Sequence, residues 1–298
     1  MCNELVTAVI STYNRPLDIL KRAVSSILAQ TYPNIEVIVV NDYPQDAALS
    51  EQIRQMLRAM NPDIIYLVHE KNQGACAARN SGLKIAKGTY IAFLDDDDEW
   101  LPEKIEKQML QMNAAVALVG CDSYRVSGEN VVAHHPSMLS DSPISAILRS
   151  NYIGSTSFPL MRTSAVRKVS GFDINVKVCQ DHDLWIRMIA HYPVAYVHEP
   201  LVKYYLSEDS TFKKNNQKYI TGRKYLIEKY KKLYMEHMDD YIFHLNNEAI
   251  TGLLFMHDLR VYWVFKKLAL QTCWFHHYNY TLLFQKVAKY ISKRSGTK

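Results

Sequence analysis

Over its first hundred residues the chain alternates short apolar runs with stretches of helical periodicity, and this alternation narrows the fold more than any other feature. Leu5 to Ser11 reads as a buried strand. Pro16 sits where a helix would open, and Leu17, Leu20, Val24, Ile27 and Leu28 recur at helical spacing as far as Gln30. Ile35 to Val40 reads as a second strand ending in Asn41 and Asp42, followed by a helical stretch near Ser50 to Met60 and a third strand around Ile64 to Val68. Another helix opens near Gly74, closes at Gly88 and feeds a strand from Tyr90 to Leu94. Strand and helix in strict succession are accommodated by βαβ units, so an α/β fold with a mostly parallel central sheet is expected.

The fourth strand delivers four aspartates, Asp95 to Asp98, at its carboxyl end. Ligands of open α/β sheets bind outside the carboxyl ends of the strands, so Ser11 to Arg15, Asp42 and Asp95 to Asp98 should gather along one rim. Adjacent carboxylates repel one another unless a cation is present, and a hard divalent metal is the natural counter-ion. If the segment is extended, Asp95 and Asp97 point to the same side and reach one ligand complex. A solvated acidic turn capping the helix before Trp100 is the plainer alternative. Farther on, Asp181 in CQDHDLWIRM opens an amphipathic helix whose Leu184, Trp185 and Met188 face inward. A carboxylate there can act as general base toward an acceptor hydroxyl or simply cap the helix.

Past Leu101 the pattern loosens. A helix to about Met112, a strand from Val116 to Cys121, an irregular stretch containing His134 and His135, and a short helix from Ile144 to Arg149 are expected. Gly154 to Met161 reads as loop and strand, Gln180 to Ala190 as helix, and Val194 to Leu206 as strand or hairpin. From about Lys213 the chain turns helical, aromatic and basic. Residues 211–298 hold 16 Lys and Arg against 6 Asp and Glu, whereas residues 1–210 hold 19 against 24. Two regions are therefore expected, a catalytic domain over 1–210 and a helical extension over 211–298. Five scattered cysteines without a CxxC pair suit a reducing compartment. The opening MCNELVTAVIS lacks the pattern of a secretory signal, so a cytoplasmic location is expected.

The ordered set ISTYNRPLDILKRAVSSILAQTYPNIEVIVVND, GACAARNSGLKIAKGTYIAFLDDDDEWLPEKI and QDHDLWIRM resembles the inverting family 2 glycosyltransferases of the GT-A fold, across about residues 4 to 210. The resemblance implies a UDP-sugar donor and a divalent metal, Mn²⁺ or Mg²⁺. Thr12, Tyr13 and Arg15 then match the loop that contacts the nucleotide, Asp42 the residue that reads the base, and Arg79 the ARN motif beside the nucleotide. Asp95 and Asp97 bound the DxD motif with Asp96 between them, Asp97 being the direct metal ligand and Asp95 lying nearer the ribose and sugar. Asp181 matches the catalytic base, and Gly154, Ser155 and Thr156 match an acceptor-side loop. One departure stands out: where the family carries YRxH, this chain has Tyr204-Tyr205-Leu206-Ser207. His198 lies upstream and is a candidate substitute.

Between Lys266 and Lys298 seven Lys and Arg occur with no acidic residue, interleaved with aromatic side chains. Leu283, Val287 and Ile291 fall on one helical face, and Lys286, Lys289 and Lys293 on another. That pattern suits an interfacial helix on anionic lipid, or a helix packed on the catalytic domain with a solvated lysine face. Nucleic acid is not expected as a partner, since no recognition module accompanies the charge. The reading is a peripheral enzyme on the inner face of the plasma membrane that adds glucose or galactose to a lipid-linked saccharide, such as an N-acetylhexosamine on diphosphoundecaprenol, in O-antigen or capsular polysaccharide synthesis. Its rivals are a nucleotidyltransferase, which would want a phosphate loop that ISTYNRP does not supply, and a saccharide-binding or scaffold protein that has lost catalysis.

Overall fold

The computed structural model describes residues 4–206, 216–254, 256–279 and 281–282. They pack as two compact units: one formed from 4–137, 153–175 and 180–206, the other from 138–152, 176–179 and the described residues from 216 onward. The helical unit therefore draws in two segments that lie within 1–210.

Among the described residues the first unit is built on a nine-stranded sheet. Strands β1 (Val6–Thr12), β2 (Ile35–Asn41), β3 (Ile65–Val68) and β4 (Tyr90–Asp95) pair in parallel, in the order β3-β2-β1-β4. Helices α1 (Leu17–Leu28), α2 (Ala47–Met60) and α3 (Ala75–Ile85) connect them. Leu20, Ala23, Val24 and Ile27 form the buried stripe of α1, as the spacing requires. Helix α2 begins earlier than the periodicity suggests, because the Asp46 side chain accepts from the Leu49 N–H at 2.8 Å and caps it. Helix α3 lies close on β1 because position 82 is glycine; a Cβ there would meet Val9 Cγ1 at 2.3 Å. Register then fixes the rim: Thr12 lies opposite Asn41, and Ser11 opposite Asp95.

Beyond β4 the sheet becomes mixed. The short β5 (Glu99–Trp100) and α4 (Lys104–Met109) precede β6 (Leu118–Ser127), which runs six residues past Cys121 and pairs with β7 (Asn130–His134). The stretch expected to be irregular is thus partly a strand, held by the hairpin turn at Gly128 with φ +57°. Strand β8 (Leu160–Arg162) runs antiparallel to β4, α6 (Thr163–Lys168) follows it, and α7 (Gln180–Ile189) leads into β9 (Val194–Tyr205). One strand, not a hairpin, spans 194–205; it pairs in parallel with β6 through a register slip at Asp122 and antiparallel with β5.

The second unit holds α5 (Pro143–Arg149), α8 (Asn216–Lys229), α9 (Lys231–Glu236), α10 (Met238–Leu254) and α11 (Leu259–Thr272). Tyr219, Ile220, Ile227, Leu245, Ala249, Val261, Phe265 and Ala269 form its main core. No helix among the described residues is long and apolar enough to cross a membrane. Leu283, Val287, Ile291, Lys286, Lys289 and Lys293 lie outside the described residues.

Candidate active site

The carboxyl ends of β1, β2 and β4 bring the expected residues to one edge. At the end of β1, Thr12 is buried and its Oγ1 has no hydrogen-bond partner, an orphaned hydroxyl that a ligand can satisfy. Tyr13 is 50% exposed and meets Tyr43 edge-to-face at 4.9 Å, so two aromatic rings stand at the mouth beside the β2 end. Asp42 is buried and accepts from the Gln73 and Gly74 N–H groups at 2.9 and 2.7 Å, with His69 Nδ1 at 2.7 Å. Gly74 is needed there, since its φ of +88° turns its N–H onto that carboxylate ahead of α3. Asp42 therefore shapes the loop beside any base bound at this edge.

The four aspartates do four different things. Asp95 is held by Arg79 Nη2 at 2.6 Å, by Thr156 Oγ1 at 2.9 Å to both oxygens and by Ser155 Oγ at 3.2 Å. Burial alone would raise its pKa, but the Arg79 charge and these hydrogen bonds pull it below the ordinary carboxylate value. Asp96 and Asp97 share the Arg15 guanidinium, with contacts at 2.7 and 3.1 Å. Asp98 is buried, accepts from Ser157 Oγ at 2.6 Å and the Tyr205 N–H at 3.2 Å, and is pushed well above the ordinary carboxylate range by burial and the Asp95 charge. Burial and the charges of Asp95 and Asp96, incompletely offset by Arg15, likewise raise Asp97.

The segment is not extended beyond Asp95. It turns at Asp96 and Asp97, with the Asp98 N–H bonded to the Asp95 carbonyl at 3.0 Å. Period-two alternation therefore does not govern where these side chains go. Asp95 is committed inward, while the Asp97 side chain stays 33% exposed. Ser155 and Thr156 spend their hydroxyls on Asp95, and Gly154 accepts from the Trp185 indole at 2.9 Å through its carbonyl. The loop expected on the acceptor side is thus tied to the aspartate rim and to α7.

Helix α7 separates its two aspartates. Asp183 is fully buried and paired with Arg187 at 2.6 Å, which in turn donates to the carbonyls of Val169 and Gly171. Asp181 is half-buried at the helix start, and its Oδ1 accepts from the His182 N–H at 2.8 Å. Beside it, Gln180 accepts from Arg79 at 3.1 Å, linking α7 to the guanidinium that holds Asp95. The Tyr204 phenol is pushed up by burial and, after it, by the charges of Asp98, Asp95, Asp181 and Asp97.

Residues 7–173 match the family described as Glycosyl transferase family 2. The chain belongs to that family. Among its curated relatives is a putative colanic acid biosynthesis glycosyl transferase, WcaA, of Escherichia coli K12, 36% identical over 199 residues that cover 64% of this chain and 68% of the relative. The Escherichia coli protein WfaP, named UDP-Glc:alpha-D-GlcNAc-diphosphoundecaprenol beta-1,3-glucosyltransferase, is 32% identical over 187 residues, covering 63% and 71%. Among solved structures, S. aureus TarS 1-349 in complex with UDP-GlcNAc superposes with a TM-score of 0.58 at 16% identity, covering 90% of this chain and 92% of that one. At that identity the likeness establishes the GT-A fold.

Several residues of this glycosyltransferase's rim escape sequence reasoning. Arg22, from α1, lies over the Tyr205 ring at 3.7 Å and donates to the Asp97 carbonyl at 2.5 Å. Tyr205 occupies the position at which the family carries arginine, so a cation reaches the aspartate turn from a different element. Ser157 joins Asp95 and Asp98 by accepting from the Asp95 N–H at 3.0 Å. These roles arise across separations of 59 to 183 residues and leave no local signature. His198 does not substitute for the missing histidine: it is exposed, meets the Tyr196 ring at a tilt with centroids 4.9 Å apart, and sits six residues before Tyr204, about 20 Å along an extended strand.

Proposed function

We propose that this family 2 glycosyltransferase moves glucose or galactose from a UDP-sugar, with inversion, onto a lipid-linked saccharide such as an N-acetylhexosamine on diphosphoundecaprenol. The observation that carries the reading is the asymmetry of the rim: Asp97 is partly exposed and in carboxylate excess, Asp183 is locked to Arg187, and Asp181 follows Gln180, which accepts from the Arg79 guanidinium that holds Asp95. The name of the relative WfaP supports the glucosyl donor and the diphosphoundecaprenol acceptor.

In this reading Thr12 and Tyr13 receive the nucleoside beside the loop shaped by Asp42, while Arg79 and Thr156 keep Asp95 ionised and fixed near the ribose and sugar. Asp181 takes the proton of the acceptor hydroxyl, the freed oxygen attacks the anomeric carbon, and the bond from that carbon to the diphosphate oxygen breaks on the opposite face. An α-linked donor then gives a β-linked product. Deprotonation falls to Asp181 and not Asp183, because Asp183 is buried in an ion pair that would have to break first.

A divalent cation fits the donor set. Asp97 offers a partly exposed carboxylate whose negative surroundings Arg15 does not fully cancel. Among the described residues no three His, Cys, Asp or Glu groups converge into a protein cage, so further ligands would come from the diphosphate and water, a mode suited to Mg²⁺ and Mn²⁺. The ion would neutralise charge on the departing diphosphate. The basic excess of residues 211–298 supports attachment to the inner face of the plasma membrane, where a lipid-linked acceptor is found.

The test is UDP release from a panel of UDP-sugars, with Mn²⁺ or EDTA, and with or without a synthetic N-acetylhexosamine diphospholipid. Release from one hexose donor that requires both metal and acceptor is expected. No release from any donor with any lipid-linked saccharide would overturn the reading.

A further inference from the structure

Helix α11 has two opposed apolar faces, and packing among the described residues of its unit accounts for only one. Val261, Phe265 and Ala269, four residues apart, are completely buried in the helical core. Leu259, Trp263 and Lys267 follow the same spacing on the other side, and the turn after the helix continues that stripe with Trp274 and Phe275. Leu259, Trp263, Trp274 and Phe275 are 61, 60, 59 and 90% exposed. A depression of about 440 Å³ lies along the stripe, lined by Trp263, Lys267, Leu270, Gln271 and Trp274. Contiguous apolar surface of this kind marks a binding face.

Its charge selects the partner. Lys267 is exposed between the two tryptophans, and Arg260, beside Leu259, is paired with the buried Asp258 at 2.9 Å. Lys266 is turned inward onto Asn246 and the Asn279 carbonyl. The exposed Asp239 carboxylate meets Nε2 of His276, the residue after Phe275, at 3.0 Å. From Leu259 to Lys298 the sequence holds eight Lys and Arg and no Asp or Glu. Indole rings flanking a lysine, with little uncompensated negative charge, match the headgroup layer of an anionic bilayer, where the rings settle at the interface and the ammonium meets phosphate. A second copy suits the face less well, since a two-fold contact centred on the Trp263–Trp274 depression would bring Lys267 close to its own equivalent.

We propose that this face of α11, with the Trp274–Phe275 turn, docks the enzyme on an anionic lipid surface. The inference deepens the lipid-linked acceptor reading and relies on it only for the reason such docking is useful. It is tested by flotation of the full chain with vesicles of phosphatidylcholine alone or containing phosphatidylglycerol. Binding to the anionic vesicles should weaken at least tenfold in Trp263→Ser/Trp274→Ser and severalfold in Lys267→Glu, with circular dichroism and thermal midpoint unchanged because these side chains are exposed. Binding of the double variant equal to that of the wild type, or no binding of the wild type to anionic vesicles, would overturn the proposal. Concentration-dependent dimers that the tryptophan substitutions abolish, without vesicle binding, would assign the face to a second copy and also overturn it. UDP release with a short, detergent-solubilised acceptor should be unchanged in these variants, so a failure of the transferase reading would appear there, separately from a failure of docking.

Discussion

The strand rim and the interior of the helical unit handle charge in opposite ways. In the helical unit, Arg149 meets Asp240 at 2.5 Å, and Glu248 takes both the Tyr219 hydroxyl and Arg223, the latter at 3.2 Å. Those charges are buried and matched. At the rim, Asp95, Asp96, Asp97, Asp98 and Asp181 face Arg15, Arg22 and Arg79, and burial together with the remaining negative charge raises the carboxyls of Asp97 and Asp98. Matched pairs hold a fold in place, whereas a surplus maintained against its own repulsion identifies a place where something positive is to bind.

The comparison is broken most severely if the surplus has no use. Asp97→Ala should lower transfer by about ten-thousandfold, several kcal/mol of lost stabilisation at the leaving diphosphate, while the thermal midpoint of the metal-free protein holds or rises; UDP release and a melting curve check both. Asp181→Asn should cost about a thousandfold in turnover and leave donor affinity nearly unchanged, which rate measurements beside a UDP-sugar titration will show. Near-normal turnover in that variant would remove the base from Asp181.

In the helical unit the same kind of change should act on stability. Arg149→Ala strands Asp240 in the interior and should cost about 3 kcal/mol, measured by urea unfolding. Lys104 sharpens the contrast, because it is fully buried away from the rim, its ammonium meeting Gln108 Oε1 at 2.7 Å and the Trp100 ring at 4.3 Å. Burial lowers its pKa from 10.5 to about 8. The fold thus favours the neutral amine: the stability this group contributes is complete above the unfolded value and is lost as pH falls through about 8. Between pH 10.5 and 7 the wild type should lose about 3 kcal/mol relative to Lys104→Met, read from unfolding curves at each pH.

Much of the first unit is legible in the sequence because its elements obey local rules. The strands β1 to β4 are apolar runs ending in polar residues, and α1 shows its buried stripe directly. Legibility fails where partners are distant. Strand β7 exposes Val131 and Val132 and exists through pairing with β6, and the six-residue α6 is too short for periodicity to reveal. At the rim, the residue types of Asp95, Asp97 and Asp181 suggest the chemistry proposed for them, but the sequence does not show how their surroundings divide them. Asp95 is held by Arg79 and by Ser155 and Thr156, which arrive from a loop some 60 residues later, and Asp183 is tied up by burial and the Arg187 pair.

The most direct test of the central claim, that the carboxylate surplus binds a nucleoside diphosphate through a divalent cation, is calorimetric titration of UDP into the full chain with and without Mn²⁺, in the wild type and in Asp97→Ala. UDP affinity should rise at least about tenfold with Mn²⁺ in the wild type, a coupling of about 1.4 kcal/mol, and Mn²⁺ should have no effect in Asp97→Ala. Equal UDP affinity with and without the metal in the wild type, or a full Mn²⁺ response in Asp97→Ala, would contradict it.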